Sequence, residues 1–494
     1  MAERREREQR FERQMSDAEA LMWNVEKDPW LNPNGAMVTI LDQPIEIEQL
    51  RTRMAFAISK IPRLRERVVA GFGRLSPPKW STDPEFDFGY HLRHIRLPPP
   101  GTTRQLYDLA TQLYEDPYDR TRPLWMFVVI DGLEEGGGAI LTKMHHSITD
   151  GIGAIRLSEL YMEAEREADL PPEVDLDNVI ADAIAAEATE NGDSEERSTT
   201  SSAVQSVGHL WRRQAGIAQR SLGQVALWSA DPTQAQDVVE GLVDNAGSAL
   251  KQLRPADGDT TGGSPLWTNR SRRRHLESLR LPLDAVKAAG KALGASVNDV
   301  FVTGAANGAL RYHAKRDAPV EALNISFVVS TRSDKAIGGN SFAPTPVQVP
   351  GGDLSPEERL HEIRDRMAAK RENVSGQGAF QGVAGIANLL PTSVVTQVAR
   401  SQAAKMDFAT SNLRAAPFTT YMSGAEVLDT ITMGPVAGTA FNITTISYNG
   451  NLHIGVFIDP AAVEEPSDLR DCMTEAYGEL LAAGGVVVKK RGKK

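Results

Sequence analysis

Cysteine is almost missing from this chain. Cys472 is the single one in 494 residues, so an intrachain disulfide framework and a cysteine-built zinc site are both excluded, in keeping with a reducing cytoplasm. Long apolar runs are missing as well. No stretch reaches the roughly 20 residues needed to cross a bilayer, and residues 1–15, dense in Arg, Glu and Gln, lack the apolar core of a secretory signal. Nor is there an excess of positive charge. The formal net charge is -11, which argues against nucleic acid as a partner, because that binding rests on neutralising phosphates with Lys and Arg. The expectation is a cytoplasmic protein whose membrane contact, if any, is peripheral.

What is present is ordinary globular composition. Hydrophobic residues make up 41% and charged residues 24%, near the soluble average, and the length suits two substantial domains with a cleft between them. Five segments follow. Residues 1–14 read as a disordered extension and 15–165 as a first α/β domain. Residues 166–264 read as a linker, acidic and then helical, 265–485 as a second α/β domain, and 486–494 as a basic tail. Ser16 with Glu19 forms a capping pattern for a helix over 16–25. Helices are expected over 47–61 and 104–114, and strands over 36–41, 126–130 and 138–143. Residues 163–202 carry Glu, Asp, Ala, Ser and Thr with few large apolar residues, too little to bury for a core. Beyond them, Trp211 and Trp228 lie at helical spacing beside Arg212, Arg213 and Arg220, consistent with packing at the domain junction or with a membrane-surface helix. In the second domain, helices are expected over 282–293, 297–315 and 466–482. Strands are expected over 273–281, 322–330, 345–349, 444–449 and 452–458, the last two joined by the turn-forming Asn449-Gly450.

The residues best suited to chemistry stand in the run His145-His146-Ser147-Ile148-Thr149-Asp150-Gly151. A neutral imidazole at a strand end, projecting into a cleft, is the natural base for removing a hydroxyl proton near neutral pH. Neighbouring strand residues point to opposite faces, so one histidine faces the cleft and the other packs, and the pair makes a poor joint metal site. His146 is the expected base and His145 the supporting residue. Asp150 either accepts a hydrogen bond from the imidazole or forms an ion pair that holds the turn. Gly151 and Gly153 supply backbone freedom for the turn, and an amphipathic helix is expected over 154–164.

The run is the full His-His-x-x-x-Asp-Gly signature of the bacterial wax ester synthase/acyl-CoA:diacylglycerol acyltransferase family, which the chain resembles over nearly its whole length outside the linker. Further family-like stretches occur in order: 16–19, 86–93, Pro100-Gly101, and 119–125 with Pro123, Leu124 and Trp125. In the second half come Asn298-Asp299-Val300, Ser330-Thr331-Arg332 with Gly339-Asn340, and the late hairpin 447–459. One departure stands out. Where the family carries Ser/Thr-Asn-Val-Pro-Gly-Pro, this chain has Ser411-Asn412-Leu413-Arg414-Ala415-Ala416-Pro417, which loses the inner Pro-Gly and gains an arginine.

The resemblance implies an α/β fold of two CoA-dependent-acyltransferase-like domains, of the chloramphenicol acetyltransferase or condensation type, with mixed sheets and a central tunnel crossed by the linker. It implies transfer of a long-chain fatty acyl group from acyl-CoA, a substrate rather than a tightly bound cofactor, to diacylglycerol or a fatty alcohol at a membrane or lipid-droplet surface. A condensation-type enzyme for another alcohol, or a non-catalytic lipid-binding relative, remains the alternative. Asn298, Asp299, Arg332, Pro123, Leu124 and Trp125 are candidate substrate contacts, each with a structural reading beside it. Pro123 to Trp125 can be a packed strand entry, Asn298 an N-cap with Asp299 at the positive helix start, and Arg332 the partner of a buried carboxylate. The cationic run Arg270, Arg272, Arg273 and Arg274 can meet CoA phosphates or form a solvated face.

Overall fold

A computed structural model describes residues 12–71, 77–195, 263–330, 342–374 and 384–486, except 386 and 389. The first half contains α1 (Asp17–Val25), β1 (Asn34–Leu41), α2 (Ile47–Lys60), β2 (Glu66–Val69), β3 (Lys79–Thr82), α3 (Phe88–His91), β4 (Leu92–Arg96), α4 (Thr103–Glu115), β5 (Trp125–Asp131), β6 (Gly138–His145), α5 (Gly151–Ser158) and α6 (Leu176–Glu195). The second half contains β7 (His275–Pro282), α7 (Leu283–Ala292), α8 (Val297–Ala314), β8 (Ala322–Ser330), β9 (Phe342–Pro350), α9 (Pro356–Val374), α10 (Thr392–Ala403), β10 (Phe408–Arg414), β11 (Tyr421–Met422), β12 (Ala425–Met433), β13 (Phe441–Tyr448), β14 (Asn451–Ile458) and α11 (Pro466–Ala483).

Two six-stranded mixed sheets carry the architecture. The first runs β11-β12-β1-β6-β5-β4 and the second β7-β14-β13-β10-β8-β9. Parallel pairs occur at β4 with β5, and at β10 with both β13 and β8. The expected capping box of α1 is present, with Ser16 N donating to Glu19 Oε2 at 2.7 Å. Asn449 and Gly450 both take positive φ, 42° and 75°, the requirement of the two-residue turn between β13 and β14.

β6 is central because all eight of its residues are buried, as a strand covered on both faces must be. Its one charge, Lys143, is answered locally: Nζ donates to Leu113 O at 2.9 Å and to Asp116 O, at the carbonyl end of α4, and lies over the Tyr118 ring. Burial pulls its pKa down to about 8. In the second half, α8 lies against α11 through two glycines. A β-carbon at Gly304 would come 2.0 Å from Tyr477 Cε1, and one at Gly308 would come 2.5 Å from Met473 Cγ. The helices approach that closely only without side chains there.

The sheets do not divide the chain at residue 265. β12, far along the second half, pairs antiparallel with β1 from Ala36↔Met433 to Leu41↔Val427, with an irregularity at Ile40/Leu41. The chain then returns to the second sheet as β13. Glu163 fastens this crossing segment: it bridges to Tyr421, accepts from Ser423 N at 3.1 Å and ion-pairs with the buried Arg53.

Three expectations change. The acidic segment orders in part, since α6 covers Leu176–Glu195 and Glu187 docks it on β3, accepting from Thr82 N (2.8 Å), Thr82 Oγ1 (2.6 Å) and Ser81 Oγ (2.8 Å). Burial raises the pKa of Glu187, but those hydrogen bonds outweigh it and leave it lowered. The extension expected to be disordered through residue 14 is placed at its end, where Gln14 bridges to Lys79 and Arg13 O accepts from Trp80 N at 2.7 Å. The helix expected over 154–164 starts earlier and is shorter, Gly151–Ser158. Trp211, Trp228 and their arginines, like the basic tail from 487, lie outside the described residues.

Candidate active site

The two histidines separate where β6 ends. His145 donates its backbone N–H to Leu124 O at 3.0 Å and is fully buried. Ser147 N donates to its Nδ1 at 2.9 Å, with Ser147 Oγ 2.7 Å from the same nitrogen, while Nε2 lies 3.5 Å from Glu26 Oε2. A backbone N–H aimed at Nδ1 requires that nitrogen to accept, which leaves the ring proton on Nε2, facing Glu26. His145 therefore packs into the first domain. His146, the next residue, donates its N–H to Pro33 O at 3.3 Å and turns its ring to a cavity of about 710 Å³.

Both sheets line that cavity. Met37 and Thr142 come from the first, Ser411, Leu413, Asn442 and Thr444 from the second, and Gly434 and Pro435 from the β12–β13 connection. Small and apolar side chains predominate, which suits an alkyl chain better than a polar metabolite. Burial takes the His146 pKa down to about 4; His145 adds to the fall, while Asp150 and the hydrogen bond with the Thr149 backbone oppose it. The ring is thus neutral throughout the physiological range. A β-carbon at residue 35 would stand 3.4 Å from His146 Nε2, so Gly35 keeps the approach to that nitrogen clear. Sequence reasoning missed Gly35, because nothing local in Asn34-Gly35 marks the ring beside it.

Asp150 is the N-cap of α5, accepting from Gly153 N at 2.9 Å. It therefore shapes the turn and also places a negative charge near His146. Gly151 serves differently from expectation. Neither Gly151 nor Gly153 has positive φ, and a β-carbon at Gly151 would fall 2.6 Å from Leu413 Cδ2. The glycine is needed for close approach between α5 and β10, across the two halves.

Asn298 lines the cavity and accepts from Asn412 Nδ2 at 3.2 Å. It is not the N-cap of α8. That residue is Ser296, whose box is completed by Asp299, with Oδ2 accepting from Ser296 N at 2.9 Å. Asp299, buried in this cap, does not line the cavity. Pro123, Leu124 and Trp125 do not line it either. Trp125 is fully buried, donates its indole N–H to Leu64 O at 2.7 Å and stacks on His91, a burial worth roughly 3 kcal/mol. Arg332 lies outside the described residues. In the cationic run, Arg270 donates to Gly438 O (3.0 Å) and Arg274 to Ser271 O (2.9 Å), and none of the four arginines lines the cavity.

The segment that departs from the family pattern begins on a strand, with β10 running to Arg414 and Ala415 to Pro417 lying beyond its end. β10 pairs with β13 through Arg414↔Ser447, and Ala415 N donates to Ser447 O at 2.9 Å. Asn412, Leu413 and Arg414 all line the cavity.

Residues 15–301 match the wax ester synthase/diacylglycerol acyltransferase catalytic domain, and residues 338–481 match the WS/DGAT C-terminal domain. A putative diacylglycerol O-acyltransferase of Mycobacterium tuberculosis is 28% identical over 477 residues, 96% of this chain and 93% of that protein. Among solved structures, the wax ester synthase/diacylglycerol acyltransferase from Marinobacter aquaeolei VT8 superposes with a TM-score of 0.61 at 18% identity, covering 96% of this chain and 100% of that one. A mutant starter condensation domain of rhizomide synthetase RzmA in complex with C8-CoA and Leu-SNAC superposes at 0.54 and 13% identity, covering 96% and 95%. The fold is thus the one these acyltransferases and condensation domains share.

Proposed function

The chain belongs to the wax ester synthase/diacylglycerol acyltransferase family, and from that membership we propose that it moves a long-chain acyl group from acyl-CoA to the hydroxyl of diacylglycerol or of a fatty alcohol, with His146 as general base. The observation that carries this reading is a neutral imidazole at the wall of a largely apolar cavity built from both sheets. The acceptor hydroxyl, aligned beside Nε2, loses its proton to the ring as its oxygen attacks the thioester carbonyl. The tetrahedral intermediate collapses with cleavage of the C–S bond, and the imidazolium returns the proton to the departing CoA sulfur. No covalent acyl-enzyme is formed. Asp150, whose charge favours the protonated ring, stabilises the imidazolium while it exists. Asn298 is the candidate donor to the oxyanion, supported by its place in the cavity lining and by its Oδ1 accepting from Asn412, which leaves its Nδ2 to donate.

Acyl-CoA enters as substrate, and the scheme asks for no bound cofactor. A fatty acceptor dissolves in membrane or droplet lipid, so the enzyme would work at such a surface; among the described residues no helix is long and apolar enough to cross a bilayer. The deciding experiment offers purified protein a long-chain acyl-CoA with diacylglycerol or hexadecanol, separately, and follows thiol release and lipid product together. Thiol release without ester in either arm would reduce the protein to a thioesterase and overturn the proposal.

A further inference from the structure

We propose that Arg414 is a phosphate-recognising residue at the mouth of the acyl-transfer cavity, and that it sets which substrate this protein prefers. The inference rests on the acyltransferase reading above and adds to it a chemical selectivity that the cavity's apolar walls cannot supply.

Three observations converge on this side chain. First, among the described residues the cavity lining includes three charged ones, Asp150, Arg371 and Arg414. The Asp150 carboxylate caps α5, and the Arg371 guanidinium lies over the Phe327 ring, 5.6 Å from its centroid. Arg414 has no hydrogen bond or ion pair among the described residues, and it is exposed. Second, its position is fixed from both sides. Leu413, the residue before it, packs against Gly151 at the start of α5, and Ala415, the residue after it, is hydrogen-bonded to Ser447. Asn412, two residues back on the same face of the strand, reaches Asn298 on the cavity wall. The backbone that carries the guanidinium is thereby anchored on a strand beside the cavity, and the exposed side chain is left to reach a ligand there. Third, the charge is permanent and presents a planar fork of donors, which matches a phosphate better than any other group a lipid substrate carries.

The phosphate has two possible sources, the CoA moiety of the donor or a phosphate ester on the acceptor. Kinetics with matched pairs separate them. In the donor arm, palmitoyl-CoA is compared with S-palmitoyl-N-acetylcysteamine, which has no phosphate, using hexadecanol as acceptor. In the acceptor arm, 1-palmitoylglycerol 3-phosphate is compared with 1-palmitoylglycerol, using S-palmitoyl-N-acetylcysteamine as donor. Arg414→Gln should raise KM about 3- to 10-fold for the phosphate-bearing member of one arm and leave its neutral partner unchanged, the modest size reflecting an exposed pair. The loss should shrink at high ionic strength. Equilibrium binding of palmitoyl-CoA and of 1-palmitoylglycerol 3-phosphate to wild type and variant reads the same contrast without turnover, so an inactive protein would refute the acyltransferase reading while leaving this one decidable. Equal KM and Kd values for wild type and Arg414→Gln in both arms would overturn the proposal. So would an equal loss in Arg371→Gln, which would assign the effect to the cavity's overall charge.

Discussion

The contact between Gly151 and Leu413 makes a sharp prediction, because it joins the turn after His146 to a strand more than two hundred residues later. Replacing Gly151 with alanine would set a methyl 2.6 Å from Leu413 Cδ2 and 3.2 Å from Cδ1. Ordinary contact begins at 3.4 Å, so one partner must withdraw by about 0.8 Å. Overpacking of this kind costs about 1–3 kcal/mol, and the gain from alanine over glycine in a helix returns up to about 1 kcal/mol. Because Leu413 yields at its flexible end, the net loss should be about 1 kcal/mol. Activity should fall further than stability. The first turn of α5 carries Asp150 and follows directly on His146, and a misplacement of about 1 Å at a reacting group can cost about 100-fold. Leu413→Ala in the same protein removes the obstruction and should restore much of the activity. Urea denaturation and acyl-transfer rates of wild type, both single variants and the double variant complete the cycle, with a coupling of about 1 kcal/mol expected for residues in contact. A fully active Gly151→Ala, or a double variant no better than the single, would refute the close-approach account.

His146→Ala should lower acyl transfer by about 100-fold or more, the usual share of a general base, with an unchanged circular dichroism spectrum. In the wild type, depression of its pKa to about 4 keeps the ring basic down to that range, so kcat/KM should be flat from pH 7.5 to about 5 and fall only below it; an acid limb centred at 6.5 would contradict the burial argument. Glu187→Ala should free α6 from β3, leaving Thr82 N and Oγ1 without their acceptor, and lower stability by roughly 1–2 kcal/mol, read as a drop in urea midpoint with kcat preserved. Equal-length Gly-Ser replacement of residues 187–202 should carry the same penalty, and full stability there would show that the docking is dispensable.

Much of this was legible in residues whose signal is local. The Ser16–Glu19 cap, the Asn449-Gly450 turn and the buried run of β6 each follow from a few neighbouring side chains, and the His-His-x-x-x-Asp-Gly run singled out the histidine that faces the cavity. β10 and β12 were not legible. Phe408–Arg414 carries no clear strand pattern because it lines a cavity rather than a core, which breaks the apolar alternation expected of a half-buried strand. β12 pairs with β1 nearly four hundred residues away, and no periodicity reveals a partner at that distance. α6 escapes a reading from composition because acidic sequence suggests solvation, whereas Leu176 packs on the core, Ile180 is buried and the Glu187 carboxylate accepts three hydrogen bonds. Asn298 was misplaced by two residues, since Ser296 with Asp299 makes the better box.

The missing Pro-Gly permits one more test, and the hydrogen-bond ladder says how to interpret it. Ala415 N donates to Ser447 O, so by the strand's two-residue period the N–H of Leu413 also faces β13 and that of Arg414 faces away. On that side, pairing with β8 has already ended at Thr410↔Phe327. A proline at 414 therefore sacrifices no ladder bond, as proline in a strand requires, and Leu413→Val, Arg414→Pro, Ala415→Gly should fold. The triple variant changes two things together: it bends the strand by fixing φ at position 414, and it removes the guanidinium. Arg414→Gln removes only the charge. If both variants shift the ratio of rates on 1-palmitoylglycerol and its 3-phosphate equally toward the neutral alcohol, the charge accounts for selectivity at this mouth. If the triple variant alone shifts the balance among hexadecanol, diacylglycerol and the phosphate ester, the path of the strand accounts for it, and the loss of the family's turn rather than the gain of an arginine is what distinguishes this protein.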